Sequence, residues 1–261
     1  MKIIKKSAEP PVFKKYRTQH PTRIWEKVPS KRQQACRQQC MTDQGNICCY
    51  CECNLNHPRI SNFCRVEHFH QKSDTTPTGK NWHLDWQNML AACNGQTEIQ
   101  DRKLLPHPMN LSCDAHKNYL IQKGKLLVQC EGLLVNPLQL PPFPNLFRVS
   151  PSTGELLPDQ ANCLQVTIPD NQCSTTEELI QNTITILNLN CDRLCQQRKS
   201  LLQFIDRKIA QGRQEGKSPE EVFSALLNFF FRTKWPAYFT TIRCRLGKYA
   251  EDYLHSIAFQ G

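Results

Sequence analysis

The sequence predicts a mainly helical α+β fold, in which a cysteine-rich core is followed by a helical C-terminal region. Three observations support this class. Thiols and short extended stretches are concentrated between residues 46 and 125. The segment 133–158 contains too many prolines to be a helix. After Cys173, apolar residues recur at the spacing expected of helices that pack by one face.

The N-terminal segment 1–45 is predicted to be a basic arm followed by one helix. Its Lys and Arg residues outnumber its only two acidic residues in the first 32 positions, Glu9 and Glu26. Tyr16 and Trp25 in this arm can stack on nucleic-acid bases or anchor the arm to the core, and we favour the anchoring role. Residues 29–44 predict a helix, with Ser30 as N-cap and Gly45 as the residue that ends it.

The core segment 46–125 alternates between extended and helical patterns. An extended stretch is predicted near Ile60 to Phe69, and Leu84 to Cys93 begins with a helix-like pattern. The run CDAHKNYLIQK, which starts at Cys113, has helical spacing.

The rest of the chain is predicted to be a proline-rich connection, 126–172, and a helical region, 173–261. The run FRVSPSTGELLP has the pattern of a β-hairpin with its turn at Ser-Thr-Gly. Ser174 to Glu177 has the capping-box pattern, and Ser218-Pro219 is a second helix start. Between them lies an apolar stripe at helical spacing, formed by Leu194, Leu201, Leu202, Ile205 and Ile209.

Composition limits the function. Of 261 residues, 33 are Lys or Arg and 23 are Asp or Glu, so the formal charge is +10. This excess favours a polyanionic partner such as nucleic acid, although a protein that is simply cationic would show it too. We expect a cytoplasmic protein that does not enter a membrane, since the sequence has no apolar run of 18 residues and no apolar signal core at its start.

The cysteines predict a metal site. Fifteen cysteines, an odd number, argue against a disulfide framework and leave metal ligation or apolar packing. Cys48 and Cys51 have the C-x2-C spacing that aims two thiolates at one ion, and Cys93 and Cys113 could complete a structural zinc site. Cys49 and Cys53 offer a competing register. For the remaining nine cysteines we favour packing: Cys36, Cys40, Cys64, Cys130, Cys163, Cys173, Cys191, Cys195 and Cys244.

Polar residues that could bind a metal or transfer a proton lie between the candidate cysteine ligands and shortly after the last of them. Glu67-His68 follows the first cysteine pair, Asn88 precedes Cys93, and His116 lies three residues after Cys113. This order resembles the HNH nuclease motif, in which a zinc knuckle braces a small ββα-metal fold. The resemblance implies that segment 46–125 is a zinc-braced HNH nuclease core.

The wider frame resembles a narrower family, the HNH endonucleases of bacterial Septu and retron anti-phage systems. It rests on CYCE from Cys49, EHFHQKS from Glu67, DWQNMLAAC from Asp85 and CDAHK from Cys113. It extends to the MKIIKK start and to TITILNLNCDRLCQQRK. Two departures are His70-Gln71, where the family has a basic residue and proline, and an insertion between Cys93 and Cys113. The second puts in doubt whether those two cysteines share one ion.

The resemblance implies a role for each polar residue. His68 would be the general base that takes a proton from water. Glu67 would hold a catalytic Mg²⁺ or Mn²⁺ through a hard carboxylate oxygen, with His116 as the second ligand or Asp114 in its place. Asn88 would orient His68 or touch the metal; it could also be only a helix cap.

Two further expectations concern the geometry and the other histidines. Neighbouring strand residues face opposite sides, so we expect a bend or bulge to bring Glu67 and His68 together. His70 could substitute in either role. We expect the remaining histidines singled out to be structural or solvent-facing: His57, His83, His107 and His255.

The resemblance also implies partners. These are an ABC-type or SMC-like ATPase, a DNA or RNA substrate and, in a retron, a reverse transcriptase with its RNA and DNA. The chain has no P-loop motif. The aromatic run Phe229 to Phe231 with Trp235 is a docking surface or ordinary core, and we favour core.

Two other functions compete with the nuclease. The first is a non-catalytic, zinc-stabilised nucleic-acid binding module, which explains the thiols and the charge but not Glu67, His68 and Asn88. The second, a thiol redox sensor, has less support because no exposed reactive cysteine can be picked out from the sequence.

Overall fold

The predicted mixture of many helices and a few short strands is confirmed in the computed structural model, which describes residues 1–56, 63–75, 78–96, 105–232 and 235–261. In these ranges the helices are α1 (Pro11–Gln19), α2 (Ser30–Gln44), α3 (Cys113–Gln122), α4 (Gln160–Cys163), α5 (Thr176–Ile186), α6 (Asp192–Gln214), α7 (Pro219–Phe231), α8 (Phe239–Leu246) and α9 (Lys248–Ser256). The strands are β1 (Cys64–His68), β2 (Met89–Cys93), β3 (Phe147–Val149) and β4 (Leu156–Pro158).

Strands β1 and β2 form an antiparallel pair that runs without a bulge from Cys64 opposite Cys93 to His68 opposite Met89. The helix-like prediction for Leu84 to Cys93 was therefore wrong for most of its length. Only Trp86–Asn88 forms a single 3-10 turn, whose first residue follows the capping carboxylate of Asp85. The five residues of β2 are all buried, so pairing with β1 and burial outweigh the local preference for helix.

Helix α2 lies against both strands of this hairpin. The Gln44 side chain at its end accepts from the Ala91 amide and donates to the Ala91 carbonyl, both at 2.7 Å, which fixes the helix end to β2. The predicted stop at Gly45 is confirmed, with a left-handed φ of 72°. Ser30 is the first helical residue and makes no capping hydrogen bond, so its prediction as N-cap was wrong by one position.

The basic arm packs on this core. Phe13 and Tyr16 are buried, and Trp25 is half-buried against the hairpin, which agrees with the anchoring role that we favoured. One apolar cluster runs from Met1 to Leu194 and so crosses the predicted segment boundaries at 45, 125 and 172. The division of the chain into segments at these three positions therefore stays a prediction from the sequence.

The C-terminal helices form a second apolar cluster, which extends from Ile205 to Phe259 and includes Ile47. The capping box at Ser218 is present, with Pro219 at the first turn of α7. For α5 the cap is Thr175 rather than Ser174, because the Thr175 hydroxyl accepts from the Glu178 amide. The predicted hairpin is confirmed as the antiparallel pair β3–β4.

Within the described ranges, no helix is both long and apolar enough to cross a bilayer.

Candidate functional site

Four thiols meet at one point beside the β1–β2 hairpin. The Sγ atoms of Cys48, Cys51, Cys93 and Cys113 all lie within 4.8 Å of one another, and all four residues are buried. They come from the loop after α2, from the last residue of β2 and from the first residue of α3. The structure thus brings together the four residues that the sequence predicted, despite the insertion between Cys93 and Cys113.

The spacing of the sulfurs fits a tetrahedral ion. Zn–S bonds of about 2.3 Å place the corners of a regular tetrahedron about 3.8 Å apart. The observed separations are 3.9 Å for Cys48–Cys113, 3.8 Å for Cys51–Cys93 and 3.7 Å for Cys93–Cys113. Four thiolates would fill the shell of a zinc ion and leave no position for a reactant, which is the composition of a structural site.

The pKa values of the four thiols are shifted in opposite directions: they are lowered for Cys48 and Cys93 and raised for Cys51 and Cys113. The Cys93 amide donates to the Cys48 sulfur at 3.3 Å. Hydrogen bonding from Cys113 lowers the pKa of the Cys93 thiol to about 6. Arg193 of α6 is buried beside the cluster, and its pKa rises because the charges of nearby thiolates outweigh the cost of burial. Cys49 and Cys53 are buried too, but they do not belong to the four-sulfur group.

Glu67 lies on the side of β1 that faces Tyr50 and α3. Its side chain is buried, and its Oε1 accepts from the Tyr50 hydroxyl at 3.1 Å and from the Lys117 ammonium. Burial raises the pKa of Glu67 and the nearby Asp114 carboxylate raises it further, while Lys117 opposes both. The pKa of Lys117 is raised as well, because the Glu67 and Asp114 charges outweigh the effect of its own burial.

Asp114, and not His116, is the α3 residue beside Glu67. The charge of Asp114 acts on the pKa of Glu67, and its Oδ1 accepts from the Asn118 amide at 2.6 Å. His116 is turned towards α5, where its Nδ1 lies 2.8 Å from the Ile186 carbonyl oxygen. The structure therefore places Asp114, the alternative ligand, near Glu67 and gives no contact that joins His116 to Glu67.

His68 lies on the opposite side of β1, as the regular pairing of the strands requires. The expected bulge that would turn Glu67 and His68 the same way is not present in the β1–β2 ladder. His68 is only 6% exposed. Its Nε2 lies 3.3 Å from the His83 carbonyl oxygen, and the Trp25 ring packs edge-on against it with the ring centres 5.2 Å apart.

The electrostatics of His68 keep the ring neutral. Burial lowers its pKa to about 3, and the nearby Lys72 charge contributes to the decrease. Asp114 opposes the decrease, so this one carboxylate acts on both His68 and Glu67. A neutral ring that donates from Nε2 to a carbonyl has its free lone pair on Nδ1.

Asn88 braces the end of β1. Its Oδ1 accepts from the His70 amide at 2.7 Å, and its Nδ2 donates to the His70 and Trp82 carbonyls at 3.0 and 3.1 Å. These contacts hold the backbone two residues beyond His68, and none of them involves the His68 ring. Asn88 is also the last residue of the 3-10 turn, so it does not cap a helix start.

The other histidines have structural contacts. His70 is stacked on Trp82, and its two ring nitrogens contact the carboxylates of Asp74 and Glu131, on opposite sides of the ring. Of the other described histidines, His83 accepts from the Trp25 amide, His107 contacts the Gln96 carbonyl, His255 is stacked on Phe143 and His20 packs against the Tyr16 ring. His57 lies outside the described residues.

The sequence predictions gave no role to Tyr50, Lys117, Arg193 or the Trp25 contact with His68. Two of these had a signal that could have been used. Tyr50 stands between the ligand cysteines of the C-x2-C pair, and Lys117 lies four residues after Cys113 and so on the same helix face. Arg193 and Trp25 reach the site from distant segments, which spacing alone cannot show.

The hairpin, the following helix and the four converging thiols form an α+β core with a buried four-cysteine group whose geometry fits a metal ion. No family model matches the chain. Over 207 residues, 77% of the chain, the sequence is 36% identical to an Escherichia coli protein named "Retron Ec83 putative HNH endonuclease", 79% of which is covered. The chain belongs to this family of retron-associated HNH endonucleases.

Proposed function

We propose that the protein is a metal-dependent endonuclease that hydrolyses phosphodiester bonds of nucleic acid. The observation that carries the proposal is that Glu67 and His68 end the same strand and that one carboxylate, Asp114, acts on both of them. The 36% identity to a protein named as a retron HNH endonuclease supports it. The formal charge of +10 suits a polyanionic substrate.

His68 is the general base. Its buried ring is neutral, and the His83 carbonyl accepts from Nε2, so Nδ1 can take the proton of an attacking water molecule. Asn88 fixes the backbone that follows His68 and is a positioning residue. Neither role requires Asn88 to touch the substrate.

Glu67 and Asp114 are the residues that hold the catalytic cation. Paired carboxylate oxygens are hard ligands, which Mg²⁺ and Mn²⁺ prefer. Such an ion, when bound, supplies charge stabilisation to the phosphoryl group and the departing oxygen. We assign no part in this to His116, because its Nδ1 faces the Ile186 carbonyl.

The four cysteines hold a structural zinc ion. They tie together the loop after α2, the end of β2 and the start of α3. Those three segments also carry or contact the proposed reacting groups, so the ion gives a small hairpin the rigidity that its apolar burial cannot supply alone.

The experiment that tests the proposal is a nicking and degradation assay with Mg²⁺ or Mn²⁺, run on plasmid DNA, single-stranded DNA and tRNA. We expect cleavage by the wild type and its loss in His68→Ala and Asp114→Asn, while His116→Gln remains active. His255→Ala, at an exposed histidine of α9, is the matched control. Binding of nucleic acid without cleavage, in the presence of the partner proteins, would instead favour the non-catalytic zinc-stabilised module.

We also propose that the protein is the effector of an anti-phage retron or Septu-type complex controlled by an ABC-type or SMC-like ATPase. The retron in the relative's name supports the retron context. Of the aromatic run, Phe231 belongs to the core whereas Phe229 is 64% exposed, so Phe229 is available for docking. Phe229→Ala should abolish co-purification with the ATPase encoded beside it, whereas Leu164→Ala, at an apolar residue that is 81% exposed, should not.

A further inference from the structure

One oxygen of the Glu67 carboxylate receives two donors from separate parts of the chain. The Tyr50 hydroxyl donates to Oε1 at 3.1 Å, and the Lys117 ammonium donates to the same atom. Tyr50 and Lys117 are both fully buried. A donor buried this deeply has its partner fixed by the fold, because leaving it without one would be costly.

Both donors sit on elements that the thiol cluster holds. Tyr50 lies between Cys48 and Cys51, within the C-x2-C loop. Lys117 lies one helical turn after Cys113 on α3. The four-sulfur site therefore sets the distance between the loop and the helix, and with it the place where their two donors meet.

Lys117 also fixes the backbone that follows Glu67. Its ammonium lies 3.0 Å from the Phe69 carbonyl oxygen and 3.3 Å from that of His68. An ammonium has three N–H donors, and these contacts together with Oε1 use all three. One side chain thus holds three consecutive residues at the end of β1.

The clamp on Oε1 leaves Oε2 to a cation. Neither Tyr50 nor Lys117 donates to Oε2. Asp114, whose charge acts on Glu67, precedes Lys117 by three residues and so lies on a neighbouring part of the same helix surface. Groups that hydrogen-bond a metal-binding carboxylate orient it and tune its affinity.

We propose that Tyr50 and Lys117 are positioning residues, which hold Glu67 by Oε1 so that Oε2 and the Asp114 carboxylate form the divalent-cation site. The thiol cluster acts on the reaction through these two donors. This inference rests on the proposed function, because it takes Glu67 as a ligand of the catalytic cation.

Tyr50→Phe is the direct test, since it removes the hydroxyl and keeps the ring that fills the core. Binding of Mn²⁺ to the zinc-loaded protein, followed by electron paramagnetic resonance, should weaken by about tenfold. The kcat for cleavage should fall by a similar factor with KM for the nucleic acid unchanged, and the zinc content should equal that of the wild type. Tyr16→Phe is the matched control, because it removes a hydroxyl bonded to the Lys27 carbonyl, far from Glu67 in the sequence.

A double-mutant cycle with Glu67→Gln assigns the effect to the Glu67 carboxylate. In the Glu67→Gln background, Tyr50→Phe should weaken Mn²⁺ binding no further. Lys117→Met should lower kcat at saturating Mn²⁺ by at least about tenfold, because the clamp and the hold on the following backbone are lost together.

The possible outcomes separate this inference from the proposed function. If Glu67→Gln leaves Mn²⁺ binding unchanged, the proposed cation site itself is refuted. If Glu67→Gln weakens Mn²⁺ binding but Tyr50→Phe behaves like Tyr16→Phe, only the positioning role is overturned. The positioning role would also be overturned if Tyr50→Phe lost zinc, or if Tyr50→Phe weakened Mn²⁺ binding equally in the wild-type and Glu67→Gln backgrounds. In either case Tyr50 would act through the four-sulfur site and not through Oε1 of Glu67.

Discussion

Replacement of Asn88 by alanine should destabilise the protein because the Asn88 side chain makes three hydrogen bonds to backbone, two of them buried and one half-buried. It accepts from the His70 amide and donates to the carbonyls of His70 and Trp82, and the residue is only 5% exposed. A net value of about 1 kcal/mol for each bond gives a loss of about 3 kcal/mol in the free energy of unfolding. The loss is large because alanine leaves one N–H and two carbonyls without that partner.

The measurement is urea unfolding of the zinc-loaded protein, with the slope compared between variants so that a change in midpoint reports stability. Asn81→Ala is the matched control, since Asn81 also makes three hydrogen bonds to backbone, to Pro21, Arg23 and His83. The two bonds to Pro21 and Arg23 are exposed, so water can replace them and the loss should stay below about 1 kcal/mol.

The contrast between Asn88→Ala and Asn81→Ala decides whether Asn88 braces the hairpin. A loss for Asn88→Ala within about 1 kcal/mol of the Asn81→Ala value would refute the reasoning, since burial is then not what makes these bonds matter. An Asn88→Ala protein that keeps the stability of the wild type but lacks nuclease activity would instead indicate that Asn88 acts directly in catalysis.

Three more predictions concern His68, the zinc site and Trp25. Because the pKa of His68 is about 3 in the folded state and near 6.5 when unfolded, the unfolded chain binds more protons between these values, and stability falls as pH falls through that window. From pH 7 to 5 the free energy of unfolding should fall by about 2 kcal/mol because of His68. His68→Gln should remove this contribution from the pH dependence of urea unfolding, and a pH dependence equal to that of the wild type would contradict the prediction. Metal analysis should find one zinc ion per chain, lost in Cys113→Ser and kept in Cys53→Ser; retention in both would exclude the four-thiol site. Trp25→Ala should speed carbethoxylation of His68 by diethyl pyrocarbonate, scored by mass spectrometry against exposed His255, and equal rates would show that Trp25 does not shield the ring.

The elements that the sequence predicted well are those whose signals are local. The end of α2 could be predicted from Gly45, because glycine adopts the left-handed conformation found there with less steric strain than other residue types. The start of α7 follows from the reciprocal bonds of Ser218 and Glu221. The four thiols could be picked out because two have the spacing of a metal knuckle and the other two stand beside predicted secondary structure.

The second cation ligand could not be chosen from the sequence because it depends on which side of α3 faces the hairpin. Successive helix residues are turned by about 100°, so Asp114 and His116 flank the face shared by Cys113 and Lys117 on opposite sides. Asp114 is next to the buried Cys113, and His116 is next to the buried Lys117. The helical periodicity of the sequence therefore does not distinguish the two positions. Only the placement of β1 next to Asp114, with His116 against the end of α5, distinguishes them.

Strand β2 was misassigned for a related reason. Its sequence, MLAAC, contains good helix formers, and the residue that it pairs with at Cys93 is Cys64, 29 positions earlier. Pairing over that distance is invisible in a local window, and β propensity depends strongly on such a partner. The 3-10 turn capped by Asp85 gave a true helical signal, but it ends where the strand begins.

The position of the proposed reacting groups along the chain gives a reason for the four thiols to lie close to them. A two-stranded hairpin is at best marginally stable alone, so it needs an outside constraint to hold atoms at fixed distances. Asp114 directly follows the ligand Cys113, Asn88 precedes Cys93 by five residues, and Glu67 is held by Tyr50 from within the C-x2-C loop. An ion bound by the four thiols therefore constrains each of these residues through a short stretch of chain or a single side chain. Loss of zinc should for this reason disturb the cation site, and it should also loosen the start of α8, where Glu52, next to Cys51, accepts from the Thr240 amide and hydroxyl at 2.8 and 2.7 Å.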